Sequence, residues 1–525
     1  MTNRPGLWHT ERARRYGGVA AVSAITLLAY ARSFGSPFQF DDYNFIVGNE
    51  AIRVSALDGF ARFGQARILS FATLALNYRI GAEEPFGYHI VNFVIHLLAT
   101  WAVYSLALAL CQTPRLRGSW LAERPLPFAV GAAFLFACHP IQIQAVTYIV
   151  QRMAAMAAMF YVGSVLLYVQ ARNAQLGLGA GRPITAFVGS ALLALAAFFS
   201  KENTASLPLA ILLTEWAFYG GEVTARRILR LAPFLALVLV IPLTWKLLGK
   251  GPRPTTEPGG SMAGEVNNLL RLLAFRADPF GHLAPVDYFL TQCVVIPRYL
   301  RLVVLPWGFN VDHDVPLATG LSAPVAAGLV FLAGLLGFGL YAVRRWPVVG
   351  FSALWFFVAL SVESSFLPIS DVMVEHRMYL AMPGIALAAG AAFAWAARRK
   401  RRPALLLGAA AVVLLATLTF RRNEVWRTPL SLWLDALAKS PGKARVYVNV
   451  GTALHLEERL DEAITYYCKA LALEPENKRA RFNLDRVLEE QVTQQAATGG
   501  VVLEGLEVGA DGSLTLTPRH PCPPK

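Results

Sequence analysis

The sequence predicts an all-α protein: a polytopic membrane helical bundle followed by a small soluble module of helical repeats. Three observations carry this. Hydrophobic residues fill 55% of the 525 positions, charged ones only 16%, and mean hydropathy is +0.45. That balance belongs to membrane-spanning chains. Apolar runs of spanning length recur through the first 421 residues, and beyond them a 34-residue period takes over.

The apolar runs lie near 17–35, 87–110, 126–138, 153–171, 183–200, 204–220, 231–249, 321–343, 347–362, 378–397 and 403–420. Basic clusters punctuate them: Arg4, Arg12, Arg14 and Arg15; Arg115, Arg117 and Arg124; Arg172 and Arg182; Arg226, Arg227 and Arg230; Arg344 and Arg345; and Arg398 to Arg402. If each marks the cytoplasmic side, the runs alternate as about 11 crossings. The first run follows arginines but lacks a convincing small-residue cleavage site, so it reads as a signal anchor. A further segment, 288–307, would break the alternation and carries Arg298 and Arg301 in its middle. It reads as a re-entrant or interfacial helix with both ends outward. The membrane domain is thus 1–421, with a first outer loop at 36–86 and a second outer loop plus the re-entrant segment at 250–320.

The net charge of +14 is mostly arginine between apolar runs. It orients the chain in a lipid bilayer, and with no aromatic-interleaved basic motif it points to no nucleic-acid partner. The five cysteines, Cys111, Cys138, Cys293, Cys468 and Cys522, are scattered without a CxxC pair. They support neither a zinc site nor a disulfide framework, although Cys468 and Cys522 could bridge if both faced an oxidising compartment. No P-loop, nucleotide fold, nucleophile elbow or HExxH motif occurs, which disfavours a nucleotide-dependent enzyme.

Counting by arginines places every mixed polar cluster on the outer face, and that was not an input to the count. Asp41 and Asp42 open the first outer loop, where a carboxylate could serve as general base or hold a divalent cation. His89, Asn92 and His96 share one helix face. Such a stripe points into the bundle, either as interhelical hydrogen bonding or toward a substrate. His139 with Gln142 and Gln144, then Arg152, Lys201-Glu202, Arg298, Arg301, and Glu375 with Arg377 complete the set. The cations suit a phosphate at headgroup level, and each could equally snorkel or pair with a carboxylate. Asp312-His313-Asp314 fits a metal poorly, since three consecutive residues cannot converge on one ion, but Asp312 could orient a sugar.

After Trp426 the pattern is soluble and helical. Pro441 and Pro475, Ala436 and Ala470, Trp433 and Tyr467, and Asn449 and Asn483 each stand 34 residues apart. Tyr447, Gly451, Ala463, Tyr467, Ala470 and Pro475 fall at tetratricopeptide-repeat spacing. The module spans 422–490, with one full repeat at 444–475 and half-repeats at either side. So short an array needs the membrane domain or a protein partner to stack on. The tail, 491–525, is flexible in composition; Leu506–Val508 and Leu514–Leu516, flanking Ala510-Asp511-Gly512, could pair as a hairpin.

An ordered set of short motifs is similar to a known family. Phe38-x-Phe40-Asp41-Asp42-Tyr43-x-x-Ile46-x-x-Asn49 resembles the first outer loop of membrane glycosyltransferases of the GT-C class. Arg67, Asn77-Tyr78, Phe86-Gly87-Tyr88-His89, Asn92, His96, His139-Pro140, Ala145-Val146, Gln151-Arg152, Ser200-Lys201-Glu202, Glu375-His376-Arg377 and Tyr379-Leu380 follow in order. Together they resemble the transmembrane and tetratricopeptide-repeat protein O-mannosyltransferases and their bacterial relatives, from about 34 to 485. Two departures are visible: Arg67-Ile68 stands where the family has Arg-Pro, and the repeat array is short.

The resemblance implies a GT-C-like bundle that takes a polyprenyl-phosphate-linked sugar donor, with mannose the family's sugar. It implies transfer with inversion to a hydroxyl acceptor, Ser or Thr of exported proteins, on the outer face. It makes Asp41 or Asp42 catalytic without choosing between them, and it assigns Arg67, Arg152, Lys201 and Arg377 to the donor phosphate. The brevity of the loops suggests a bacterial inner membrane, with site and repeats facing the periplasm, and leaves an endoplasmic-reticulum setting open. Two alternatives stand beside it: a ligase- or polymerase-like enzyme of the same fold that moves a lipid-pyrophosphate-linked glycan, and a non-catalytic scaffold that recruits partners through its repeats.

Overall fold

In a computed structural model the backbone is described for residues 5–53, 67–220, 225–238, 284–497, 506–508, 514–516 and 522. Residues 54–66 of the expected first outer loop lie outside the described residues. So do 239–283, which hold the end of the 231–249 run and the start of the 250–320 loop. The chain divides into two units: Met1–Phe309 with Val315–Glu424, and Asn310–Asp314 with Val425–Lys525.

Among the described residues five helices are long and apolar enough to cross a membrane: Pro85–Leu110, Ile149–Gln175, Ala323–Arg345, Glu375–Arg399 and Arg401–Val425. The pair Pro125–Cys138 and Pro140–Val146, bent by 53°, makes a sixth if it is one broken span. Eleven crossings are therefore not reached by helix length among the described residues. The other runs shorten for local reasons. Pro183–Phe198 ends because Lys201 turns to an extended conformation, and Leu207–Phe218 keeps only 12 residues. Pro347–Leu360 likewise stops before Glu363. The expected first run lies in Pro5–Tyr30, and the 288–307 segment is a continuous helix, Pro285–Val304.

Proline sets many of these boundaries. Pro85, Pro125, Pro183, Pro285 and Pro347 each sit in a first helical turn, where a missing N–H costs nothing. Pro140 forces His139 out of the helical region (φ −76°, ψ 127°) and so produces the bend. Close helix approach needs small residues: a Cβ at Gly390 would stand 2.4 Å from the Phe128 carbonyl oxygen, where the Met378–Arg399 helix meets Pro125–Cys138.

The second unit contains the helices Pro429–Lys439, Ala444–Leu456, Leu460–Leu473 and Lys478–Ala497. Gly451 lets Ala444–Leu456 lie on Tyr467, whose ring would be 2.7 Å from an added Cβ. Two expectations meet their surroundings in this unit. Asp312 does not wait for a sugar: its carboxylate accepts from Arg445 Nε at 2.7 Å and Nη2 at 2.6 Å and pairs with Lys443. Burial opposes the charge, yet the two cations hold Asp312 below the usual carboxylate range. Cys468 and Cys522, which spacing gave no reason to join, form a disulfide across a separation of 54 residues. The tail hairpin is present, with Leu506 opposite Leu516 and Val508 opposite Leu514.

Candidate active site

The two aspartates have opposite environments. Phe38, Ile46 and Ile52 pack with Phe71, Leu74, Tyr88 and Ile149 into a small core that pulls the loop down. Asp42 follows it inward and is fully buried. Its Oδ2 accepts the Gln39 N–H at 2.9 Å and its Oδ1 the Val150 N–H at 2.7 Å, joining the loop to the turn before the Ile149–Gln175 helix. Burial pushes the Asp42 carboxyl up to about 8 despite these amides. With no exposed surface and an amide on each oxygen, Asp42 presents nothing to an incoming hydroxyl. Asp41 is only half-buried, and its N–H donates to Tyr148 Oη at 2.9 Å. Among the described residues no group of three or more His, Cys, Asp or Glu could hold a metal. Asp42's oxygens are already engaged by amides, so the geometry does not favour a cation shared by the pair.

The polar stripe on Pro85–Leu110 is bracing. His89 Nε2 donates to the Ser36 carbonyl at 2.8 Å, and Asn92 Nδ2 donates to the carbonyls of Val146 (3.0 Å) and Ile149 (3.3 Å). Asn92 Oδ1 accepts from Arg152 Nε at 2.6 Å, and Arg152 Nη2 donates to the Tyr88 carbonyl at 2.9 Å. Arg152, fully buried, thus ties its own helix to Pro85–Leu110 at two points. His139 takes its donor role toward the Val303 carbonyl (2.9 Å) and accepts the Ile141 N–H at Nδ1 (3.2 Å). His96 likewise bridges Tyr379 Oη and the Ala137 carbonyl.

A group of charges gathers at the same end of the bundle. Arg67 Nε pairs with Glu202 at 2.8 Å, and its Nη1 reaches Met153 Sδ, beside Arg152. Lys201 Nζ pairs with Glu363 at 2.7 Å, and Asn203 Nδ2 donates to the second oxygen of Glu363 at 3.0 Å. Arg377 Nη1 donates to Tyr288 Oη (3.2 Å) and the Val372 carbonyl (3.0 Å), and Nη2 to the Asp371 carbonyl (2.6 Å). Burial favours a neutral Glu363, but Lys201 and Arg377 override it and hold the carboxyl down at about 2. Burial and the cations Arg67 and Arg377 lower Lys201, while Glu363 opposes them. The Arg67–Glu202 pair is the accessible one, at 31% and 24% side-chain exposure against 5% and 12% for Lys201–Glu363. An incoming anion would therefore meet Arg67 first.

The remaining expected residues are dispersed. Glu375 is buried one turn from Arg377, in the short Glu375–Arg377 helix. Arg298 is half-buried, and Arg301 is exposed with Nη2 on the Trp307 carbonyl at 3.1 Å. Sequence reasoning missed Glu363 and Tyr148, and met Asn203 only as the end of the polar run from Ser200. Glu363 lies in a Ser-rich turn without a motif, and only its contacts reveal it. Asn203 follows Lys201-Glu202 directly, and its Oδ1 is buried without a partner among the described atoms.

No family model matches the chain. Among curated proteins it is similar to the protein O-mannosyl-transferase F38B6.6 of Caenorhabditis elegans, at 23% identity over 490 residues, covering 89% of this chain and 64% of that protein. Tmtc3 of Drosophila melanogaster is 24% identical over 485 residues, with 80% and 50% covered. TMTC4 of Homo sapiens is 25% identical over 506, with 85% and 65% covered. This chain resembles the protein O-mannosyltransferases along most of its length. It spans half to just under two thirds of these curated relatives. A solved structure, ArnT from Cupriavidus metallidurans bound to undecaprenyl phosphate, aligns over 94% of this chain and 81% of its own, with TM-score 0.39 and 13% identity.

Proposed function

We propose that this protein is a multi-pass membrane glycosyltransferase. It moves a sugar, mannose by likeness to the curated relatives, from a polyprenyl-phosphate donor to a hydroxyl, with Ser or Thr of an exported protein as acceptor. The observation that carries the reading is the contrast at the first loop: Asp41 is half-open and anchored, while Asp42 is buried and bonded to amides. Asp41 is then the base. Its carboxylate removes the acceptor proton, the hydroxyl oxygen bonds to the anomeric carbon, and the bond from that carbon to the phosphate oxygen breaks. Arg67, exchanging Glu202 for the phosphate, stabilises the leaving charge, with Lys201 and Arg377 behind it. The transition state is oxocarbenium-like and one displacement inverts the anomeric centre.

The proposed orientation puts this end of the bundle and the second unit on the periplasmic side of a bacterial inner membrane. The arginine distribution supports it, and the Cys468–Cys522 bridge fits an oxidising compartment. In this reading residues 422–490 are a repeat module that meets the acceptor or a partner protein. The test is complementation of a deletion strain, with exported proteins mapped by mass spectrometry. Asp41→Asn removes the glycosylated peptides that wild type restores; persistence of those peptides with Asp41→Asn overturns the assignment.

A further inference from the structure

We propose that Tyr148 is the positioning residue for Asp41, a role that rests on Asp41 being the base. Tyr148 occupies the short link between the Ile143–Val146 and Ile149–Gln151 turns and is buried to 4% exposure. Its hydroxyl reads Asp41 twice: Oη accepts the Asp41 N–H at 2.9 Å, and a side-chain hydrogen bond joins the phenol to the Asp41 carboxylate. The carboxylate has no proton to give, so the phenol O–H donates in that second bond. Backbone and side chain of one residue are thereby tied to a single oxygen, which fixes the Asp41 rotamer relative to its own main chain.

The surroundings hold the phenol as firmly as it holds the aspartate. Two residues on, the Val150 N–H is bonded to Asp42, so the link and the loop are fastened at two points. Phe40, just before Asp41, has φ +47°, a left-handed conformation that an aromatic residue adopts only when its neighbours impose it. Its ring lies 6.4 Å from that of Tyr148. A base must sit within hydrogen-bond reach of the proton it takes. A loop carboxylate on a strained backbone would sample several rotamers without the phenol. A phenol O–H that donates to a carboxylate favours its charged form.

Tyr148→Phe removes one oxygen and keeps the ring. The full-length protein in lipid nanodiscs is labelled with a water-soluble carbodiimide and an amine across pH 4–8, and modification of the Asp41 peptide is read by mass spectrometry. Carbodiimides attack the protonated carboxyl, so the labelling midpoint reports Asp41 ionisation without any substrate. Losing one hydrogen bond to a charged group raises that midpoint by about one pH unit. In transfer assays with polyprenyl-phosphate mannose and a Ser/Thr-rich peptide, the same variant lowers kcat about tenfold or more with KM little changed, and the acid limb of the rate profile moves up with the label. An unchanged midpoint in a protein whose melting temperature matches wild type overturns the positioning role. Should Tyr148→Phe disturb folding, Phe40→Gly relaxes the same backbone while leaving the phenol in place. Its labelling midpoint then stays at the wild-type value, and a shift equal to that expected for Tyr148→Phe would assign the effect to the backbone and overturn the proposal. The two readings fail separately: an active Asp41→Asn removes the base, whereas an inactive Asp41→Asn beside a Tyr148→Phe with wild-type midpoint and kcat removes only Tyr148.

Discussion

Truncating Asp42 to alanine separates its structural role from the catalytic one assigned to Asp41. The change leaves the Gln39 and Val150 amides buried without acceptors, having lost bonds of 2.9 and 2.7 Å. Each orphaned donor costs about 1–3 kcal/mol. Little is recovered from removing an acid, because at pH 7 a carboxyl pushed up to about 8 is mostly neutral already. The loop therefore opens more easily by about 3 kcal/mol, and at 1.4 kcal/mol per decade its amides exchange with solvent about a hundredfold faster. Hydrogen exchange read by mass spectrometry, on peptides holding Gln39 and Val150, is the direct assay. Asp41→Asn leaves that protection as it was and instead lowers transfer about a hundred- to ten-thousandfold, the usual contribution of a general base. Asp42→Ala also loses activity, because the loop that carries Asp41 comes loose. Protection, not turnover, tells the two apart. Unchanged Val150 protection in Asp42→Ala, or a loss of protection in Asp41→Asn as large as in Asp42→Ala, would refute the division of labour.

Three further outcomes follow from the same contacts. The Asp42 pKa rises on folding from 3.8 to about 8, so its contribution to stability is complete below pH 4 and is lost as pH climbs through about 8; after correction for base-catalysed exchange, Val150 protection falls steadily between pH 4 and 8 in wild type and stays flat in Asp42→Asn. Glu363 shifts the other way, from 4.5 to about 2, so what it contributes is present above pH 4.5 and lost as pH falls toward 2; Glu363→Gln strands Lys201 and costs about 3–5 kcal/mol, seen as a lower denaturation midpoint at pH 7 and a flatter acid limb. Closing a 54-residue separation through Cys468–Cys522 stabilises the second unit by about 4 kcal/mol on the chain-entropy account; peptide mapping without reductant recovers the linked pair from cells, and free, maleimide-reactive Cys468 in untreated cells would argue against an oxidising setting.

The fold was legible where physics acts locally. Apolar runs, prolines at helix starts, the His139-Pro140 break and the 34-residue period each act within a few residues of themselves, and helices stand at those places. Span length was less legible, because hydropathy does not register where a helix ends inside the bundle. Lys201 leaves its helix to reach Glu363, 162 residues away in sequence, and that partner is invisible to any local window. The cysteine pair stayed open for the same reason: Cys468 and Cys522 are able to bridge, but nothing near either one requires it.

Sorting the candidate residues depended on partners rather than on residue type. A buried histidine, asparagine or arginine on a membrane helix looks the same in sequence whether it braces or binds. Asn92 and Arg152 bond carbonyls and each other, whereas His89 gives Nε2 to the Ser36 carbonyl and keeps Nδ1 buried without a hydrogen-bond partner among the described atoms. Arg67 keeps a carboxylate partner that an anion could replace, at a third of full exposure. The adjacent aspartates show the limit most plainly. Neighbouring residues on an irregular loop point in different directions, so one took the interior and the amides while the other took the solvent side and the phenol. The sequence carries the pair; the chain at Val150 and Tyr148, over a hundred residues on, decides which member is bonded to amides and which meets the phenol.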